Sequence, residues 1–520
     1  MSKRTKSLLV LSAILVAAII AYLFLTKEKK QKNIQMYAVP KNAAAVVEID
    51  LPKLLDKADP TTLLTHSGFS NNKLFSAAFN AVTSGIDPDE IIYGFAVKEQ
   101  MDDFLGIVIR LTDAGQFASF VKDAGIKATP EDKGDFKFIA AGMNYGIGYT
   151  DDVAVILYSQ SENIAEYAGK YLQLDAESSI EREPGFAEFH SKKHDIGMFT
   201  DNKELAELND KTNVLSMVGM DSGHGELSCT FFKDQIHFEY ESFPAIHILY
   251  ACKDEGISIP FFSSIAPTNP LLFASAHFDT NKLMRLLQSD SATAGSIKEF
   301  QSSVGLDSTS FQKLFTGEVA FAVSDYRELS GYDPRLKKMI SDQIPKNSYC
   351  VDVMVPIMYV PMCYISIGIT DRNKMESMLQ QLGLKKTNGF YMFPGLDFIV
   401  YAACNDDRLM ITNDYYAADS IAKNKLLNGM LPFVVTHNSN TNPFFSWVDL
   451  DTTHYPDEML DTAGYVYKEN SLARFYSLAS PFQSAGFAAG LYHPTTFSLF
   501  LKPGDGNSLN RLLLYYADLK

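Results

Sequence analysis

The sequence predicts an α+β protein in which an N-terminal single transmembrane helix precedes two tandem related α+β repeats with mainly antiparallel or mixed sheets. Three observations lead there. Residues 7–26 form an uncharged apolar run, the stretch from Leu111 to Lys127 matches the stretch from Ile369 to Lys385 without a gap, and short strand-like runs outnumber βαβ patterns.

The apolar run is flanked by Lys3, Arg4 and Lys6 before it and by Lys27, Lys29, Lys30 and Lys32 after it. At helical rise it spans about 30 Å, roughly one hydrocarbon core. A signal peptide would carry a shorter apolar region and a small-residue cleavage site. No cysteine lies near it, so lipoprotein processing is not expected. With basic residues on both flanks, the reading keeps the short tail inside and exports the rest. The expected placement is the inner membrane, single-pass, with the membrane as a partner through the helix and the large C-terminal region periplasmic. The expected organisation is a tail and anchor over 1–33, a first repeat over 34–257 and a second over 258–520, with an insertion near 325–360.

The 520 residues are 46% hydrophobic and 21% charged, which describes a globular chain long enough for more than one core. Residues 1–33 hold seven of the 46 Lys and Arg and one of the 62 Asp and Glu, leaving 39 basic against 61 acidic residues in the body. Such a body repels nucleic acid, which is excluded as a partner. Cys229, Cys252, Cys350, Cys363 and Cys404 are odd in number and contain no C-x-x-C. Their strand-like neighbours predict buried free thiols rather than a disulfide framework.

Four short β-like runs end at an aspartate and give way to a helical pattern: those ending at Asp50, Asp201, Asp279 and Asp451. Each aspartate sits where a helix N-cap belongs, accepting the orphan N–H groups of a first turn, so capping is preferred to a carboxylate active site. Two fall in each half. In the first half, strands are expected over 92–97, 104–111, 136–140 and 153–158, with helices over 113–124 and from Ser161. The second half repeats this order with strands over 319–323, 362–369, 398–403 and 409–412, and helices over 371–382 and 415–422. In the matched stretches Phe117, Phe120, Val121, Ala124 and Gly125 are replaced in phase by Met375, Met378, Leu379, Leu382 and Gly383. Gly146 and Gly148 are expected to bend a strand. Each half closes with an alternating hairpin.

Where the first half joins its strands through 98–103, the second inserts roughly 325–360. The later part is apolar and carries Pro356 and Pro361, which with Asp352 disfavour a second membrane span. Core strand is the plain reading of that part. As a long insertion it is also the best interface candidate, through Met354, Val355, Ile357, Met358 and Tyr359.

No catalytic motif rises above this architecture. His190 and His194 are four apart, yet Ser191 stands where a zincin places glutamate and two lysines lie between them, so an exposed helical face is preferred to a metal site. The stretch from Asp221 to Glu226 brings acid, Ser222 and His224 together, but the serine is one position late for a nucleophile elbow, and a glycine turn accounts for it. Neither a Walker loop, a dinucleotide fingerprint nor an EF-hand is present. No cofactor, metal ligand or catalytic residue is assigned.

Tyr37-Ala38-Val39-Pro40-Lys41-Asn42-Ala43-Ala44-Ala45-Val46-Val47-Glu48-Ile49-Asp50-Leu51-Pro52-Lys53-Leu54-Leu55-Asp56-Lys57 resembles the start of the exported part in an uncharacterised domain-of-unknown-function family of Bacteroidota envelope proteins. Many members carry a lipobox cysteine that this chain lacks, so lipid anchorage does not carry over. The resemblance implies an envelope location and no activity. The function expected is a membrane-anchored binding or scaffolding module for a protein or peptide partner, with β-edge pairing as one mode. The alternatives are an envelope hydrolase in a cleft between the repeats, with Ser222 and His224 as first suspects, and a structural spacer.

Overall fold

Short apolar runs of period two make the strands, and turns close enough to join neighbours make them antiparallel. The structure, a computed structural model, describes residues 34–59, 84–99, 102–126, 128–201, 203–204, 223–242, 247–258, 261, 270–289, 291–329, 358–393, 400–425, 427, 431–455, 479–490 and 493–518. Two compact units are present, Met1–Ala245 with Phe500–Lys520, and Ile246–Leu499.

The first unit contains β1 (Ala45–Asp50), β2 (Ile91–Glu99), β3 (Asp102–Arg110), β4 (Glu131–Asp132), β5 (Lys137–Ala140), β6 (Tyr145–Tyr149), β7 (Val153–Tyr158), β8 (Ile196–Asp201), β9 (His224–Phe231) and β10 (Gln235–Ser242). Their pairings run β4-β5-β6-β7-β3-β2-β1-β8-β9-β10. Helix α1 (Leu51–Ala58) and α2 (Ala114–Asp123) cover one face, where Leu51, Leu55 and Phe117 meet Ile92 and Ile109. Helix α3 (Ile164–Leu172) and α4 (Pro184–Ser191) cover the other, where Tyr171, Phe186 and Phe189 meet Val46, Phe95, Val108 and Phe199. Gly146 and Gly148 lie in β6, whose register to β5 and β7 runs unbroken. A Cβ on Gly148 would lie 2.9 Å from the Ala168 Cβ, and one on Gly146 would lie 2.7 Å from the Phe138 ring, so these glycines let α3 and a core aromatic approach the sheet.

The second unit contains β11 (Leu272–His277), β12 (Phe315–Leu329), β13 (Met358–Ile369), β14 (Lys385–Thr387), β15 (Phe390–Phe393), β16 (Val400–Cys404), β17 (Arg408–Thr412), β18 (Phe444–Asp449), β19 (Phe482–Gly490) and β20 (His493–Leu501). The pairings run β14-β15-β16-β17-β13-β12-β11-β18-β19-β20. Its helices are α5 (Thr280–Ser289), α6 (Ser291–Ser303), α7 (Ser308–Leu314), α8 (Arg372–Gln381), α9 (Tyr415–Ala422) and α10 (Phe433–Thr441). Leu314, Met375 and Leu379 pack with Ile369 and Leu409 in one core. Ala417, Ile421 and Val435 pack with Phe273, Tyr364 and Trp447 in another.

The matched stretches fold alike at both ends. Asp113 accepts from the Gly115 and Gln116 N–H groups at the start of α2, and Asp371 accepts from Lys374 N–H at the start of α8. Gly125 (φ 97°) and Gly383 (φ 79°) end the two helices in the left-handed region that favours glycine. Two of the expected caps are in place, Asp50 accepting from Lys53 N–H and Asp279 from Asn281 N–H, while Asp201 and Asp451 accept from Lys203 and Thr453 N–H but the helical runs expected after them lie outside the described residues.

The hairpin of β12 and β13 outruns its neighbours. Pairing of β11 with β12 stops at Val323 and pairing of β17 with β13 at Tyr364. Past a register shift between Val323 and Tyr326, the backbones continue as Tyr326↔Pro361, Arg327↔Val360, Glu328↔Tyr359 and Leu329↔Met358. Among the described residues no third strand pairs with this arm. The chain then ends in the first unit. Leu501 N–H donates to the Asp234 carbonyl, and α11 (Ser508–Asp518) packs Leu509, Leu513 and Leu514 against the core of Leu51 and Leu55. The Asn510 side-chain amide donates to the Ala58 carbonyl, one of the orphans at the end of α1.

Two expectations are corrected. The described fold holds no transmembrane helix, and of the mainly antiparallel or mixed sheets expected, every strand pairing whose register is described is antiparallel. No helix among the described residues is long and apolar enough to cross a membrane. The longest of them has 13 residues, against about 20 needed to span a bilayer. The expected anchor over 7–26 lies outside the described residues. The single-pass inner-membrane placement loses its support with the helix, because the described apolar residues go into half-buried strands and short amphipathic helices.

Candidate functional site

The first unit buries an acid where its strand pattern calls for an apolar residue. In β1, Val46 and Glu48 are in phase on the face under α3 and α4, and Glu48 is 2% exposed. Its cross-strand neighbours are Tyr93 on β2 and Gly197 on β8. A buried carboxylate needs partners, and both come from one short segment. The ring of His190, in the last turn of α4, donates from Nδ1 to Glu48 Oε1 at 2.6 Å. His194 follows the helix and donates from Nε2 to Glu48 Oε2 at 3.1 Å.

Local packing fixes this geometry. Pro184 opens α4 at a position that needs no N–H, and Phe186 and Phe189 anchor the helix in the core. The His190 ring stacks on Phe186 with centroids 6.0 Å apart, and the His194 ring stacks on Phe189 at 4.8 Å. Gly197 makes the room: a Cβ there would lie 2.3 Å from His194 Nε2 and 2.6 Å from the Phe189 ring. The loop is tied on both sides. Lys53 Nζ donates to the His194 carbonyl at 3.0 Å, Lys57 Nζ meets the buried Asp195 carboxylate at 2.6 Å, and Asp195 also accepts from Phe231 N–H.

Burial would push the Glu48 carboxyl up, but the hydrogen bonds from His190 and His194 outweigh it and leave it below the ordinary carboxylate range. The same bond raises His190 above the usual imidazole value against the opposing effect of burial. Burial, with the negative Glu48 and Glu90 nearby, holds the Tyr93 phenol well above its ordinary range, so Tyr93 is neutral. The arrangement can therefore hold a proton between a carboxylate and an imidazole. It does not make a metal centre: among the described residues no group of three or more His, Cys, Asp and Glu has the arrangement to hold an ion.

The residues singled out in the sequence are placed elsewhere. Met358 and Tyr359 lie in β13, opposite Leu329 and Glu328 on the arm, while Met354, Val355 and Ile357 lie outside the described residues. Ser222 does too. His224 opens β9, with its Nε2 3.4 Å from Glu183 Oε1 and its ring stacked on Phe199 at 5.0 Å. His190 and His194 are not on an exposed helical face, because the helix stops between them. The signal that could have found the cluster was Glu48, an acid in phase with Val46 in the interior of an apolar strand.

The family model for a domain of unknown function, DUF4836, matches residues 36–509. The chain belongs to the DUF4836 family. No curated protein matches it. Among solved structures the DUF4836 chain is similar to crystal form IV of TP0453, at 10% identity and a TM-score of 0.27 over 42% of this chain and 83% of that one. Crystal form III of TP0453 gives 8% identity and 0.27 over 44% and 91%. At these scores the likeness carries no argument about the DUF4836 chain.

Proposed function

We propose that this DUF4836 chain acts by binding, as a recognition or scaffolding module for a protein or peptide partner docked on the arm of β12 and β13. The observation that carries this reading is the pairing of Tyr326–Leu329 with Met358–Pro361 beyond the reach of β11 and β17. With no third strand on it among the described residues, and with the Pro361 carbonyl already held by the Asn413 side-chain amide, the rest of the ribbon offers backbone N–H and C=O groups that an extended segment can satisfy by adding a strand. Met358 and Tyr359, favoured from sequence, lie on that ribbon.

An internal duplication belongs to the same proposal. The identical order of pairing in the two units supports it, as do the matching caps of α2 and α8. The binding surface is then what the second copy adds to a shared plan, and a Bacteroidota origin for the family goes with it on the strength of residues 37–57.

The test replaces 326–361 with a two-residue turn and compares the full and shortened chains in pull-downs from native extract. A partner retained by the full chain and lost by the shortened one is the expected result, with circular dichroism unchanged apart from the missing arm. Equal partner spectra from both chains would refute the arm as the docking site.

A further inference from the structure

We propose that Glu48, His190 and His194 form a protonation-dependent latch that holds α4 and the loop after it against β1. The geometry carries the inference: one buried carboxylate is shared by two imidazoles four residues apart, one before and one after the end of the helix. Among the described residues of the adjoining elements, every other group that could meet Glu48 is neutral, acidic or engaged elsewhere. On β2 Tyr93 is neutral, just before it Glu90 is an acid held by Gln35, and on α3 Lys170 bridges to Glu99. On α1 Lys53 bridges to Asp50 and Lys57 to Asp195. In the loop Lys192 pairs with Glu226 of β9 and Glu241 of β10, and His224 of β9 faces Glu183. The two histidines are thus the hydrogen-bond donors to Glu48, and the protonation of His190 sets the strength of the attachment.

The direction follows from the signs. His190 is raised in the folded chain, so its contribution is complete below its ordinary 6.5 and is lost as pH rises through the higher folded value. Glu48 is lowered, so its contribution is complete above its ordinary 4.5 and is lost as pH falls through the lower folded value. The latch is tightest between these limits, opens on the alkaline side as His190 loses its proton, and weakens on the acid side only as Glu48 gains one. Opening frees Phe186 and Phe189 from the sheet face, turning an internal aromatic surface outward.

Hydrogen exchange of the full chain, corrected for intrinsic rates and read by mass spectrometry at about pH 6 and about pH 9, tests this on both sides of the imidazole range. Residues 184–195 are expected to lose protection by roughly tenfold at the higher pH, equivalent to about 1.4 kcal/mol. Residues 372–381 serve as the reference and are expected to hold theirs. His190→Asn keeps a donor near the Nδ1 position but cannot titrate, and is expected to remove the difference. Glu48→Gln is expected to do the same. Should Glu48→Gln not fold, His190→Asn decides the matter. Unchanged protection of 184–195 in the natural chain, or a tenfold loss that survives in His190→Asn, overturns the latch.

Discussion

At the scale of single residues, the outcome at Gly197 depends on whether His194 can move. A methyl at 2.3 Å from His194 Nε2 must displace the ring or the strand, and overpacking of this kind costs about 1–3 kcal/mol. We expect Gly197→Ala to lower the unfolding midpoint and to shift the His194 ring resonances in NMR. Unchanged resonances would mean that the ring is not confined as described. Removing His190 altogether is harsher, because it leaves Glu48 buried with half of its partners. His190→Ala is expected to cost about 3 kcal/mol near neutral pH, measured by denaturant titration. The cysteines behave differently. Burial pushes the thiols of Cys229 and Cys404 up to about 12 and that of Cys252 up to about 11, so they are scarcely thiolate at neutral pH. An alkylating reagent should leave all three unmodified in the native chain and modify them in denaturant, as peptide mapping can read. Sequence reasoning anticipated these buried thiols from their strand-like neighbours. It missed the Glu48 cluster because the partners of a buried acid are set by tertiary packing, and His190 and His194 look like an exposed pair until the helix is seen to end at Ser191.

At the scale of elements, the caps were the most legible feature. An aspartate after an apolar run leaves few alternatives to satisfying a helix start, and Asp50 and Asp279 cap the helices expected of them. Asp113→Ala and Asp371→Ala remove equivalent caps from α2 and α8, and each is expected to cost about 1 kcal/mol in chemical unfolding. A cost at one position only would weaken the proposed duplication, because related helices in related settings should respond alike. The strands of both halves were legible from their alternation, but the close neighbours of the β6 glycines were not. Sequence alone reveals no neighbour, and Gly148 and Gly146 leave the room that α3 and Phe138 take up. Nor could spacing show that 326–329 and 358–361 continue a ladder, since the intervening apolar run with two prolines hides where β13 begins.

For the whole molecule, the order of strand pairing is the strongest regularity: among the described residues each unit threads ten strands in the same sequence of neighbours. A second unit after β10 was expected, whereas the return of the last segment to the first was not. No local pattern announces it, because the apolar stripe of α11 fits any core equally well until Asn510 meets the end of α1. Deleting 500–520 is therefore expected to strip the core of Leu51 and Leu55, exposing both residues 51–58 and 114–123 to faster hydrogen exchange, while 415–422 is unaffected. Protection retained in 51–58 would show that α11 is dispensable there.

That late return also sets a timetable. A nascent chain emerging from the ribosome has made residues 1–499 before the piece that closes the first unit exists. The unit begun earliest is completed last, so its unfinished apolar side must be tolerated, or shielded by a chaperone, throughout translation.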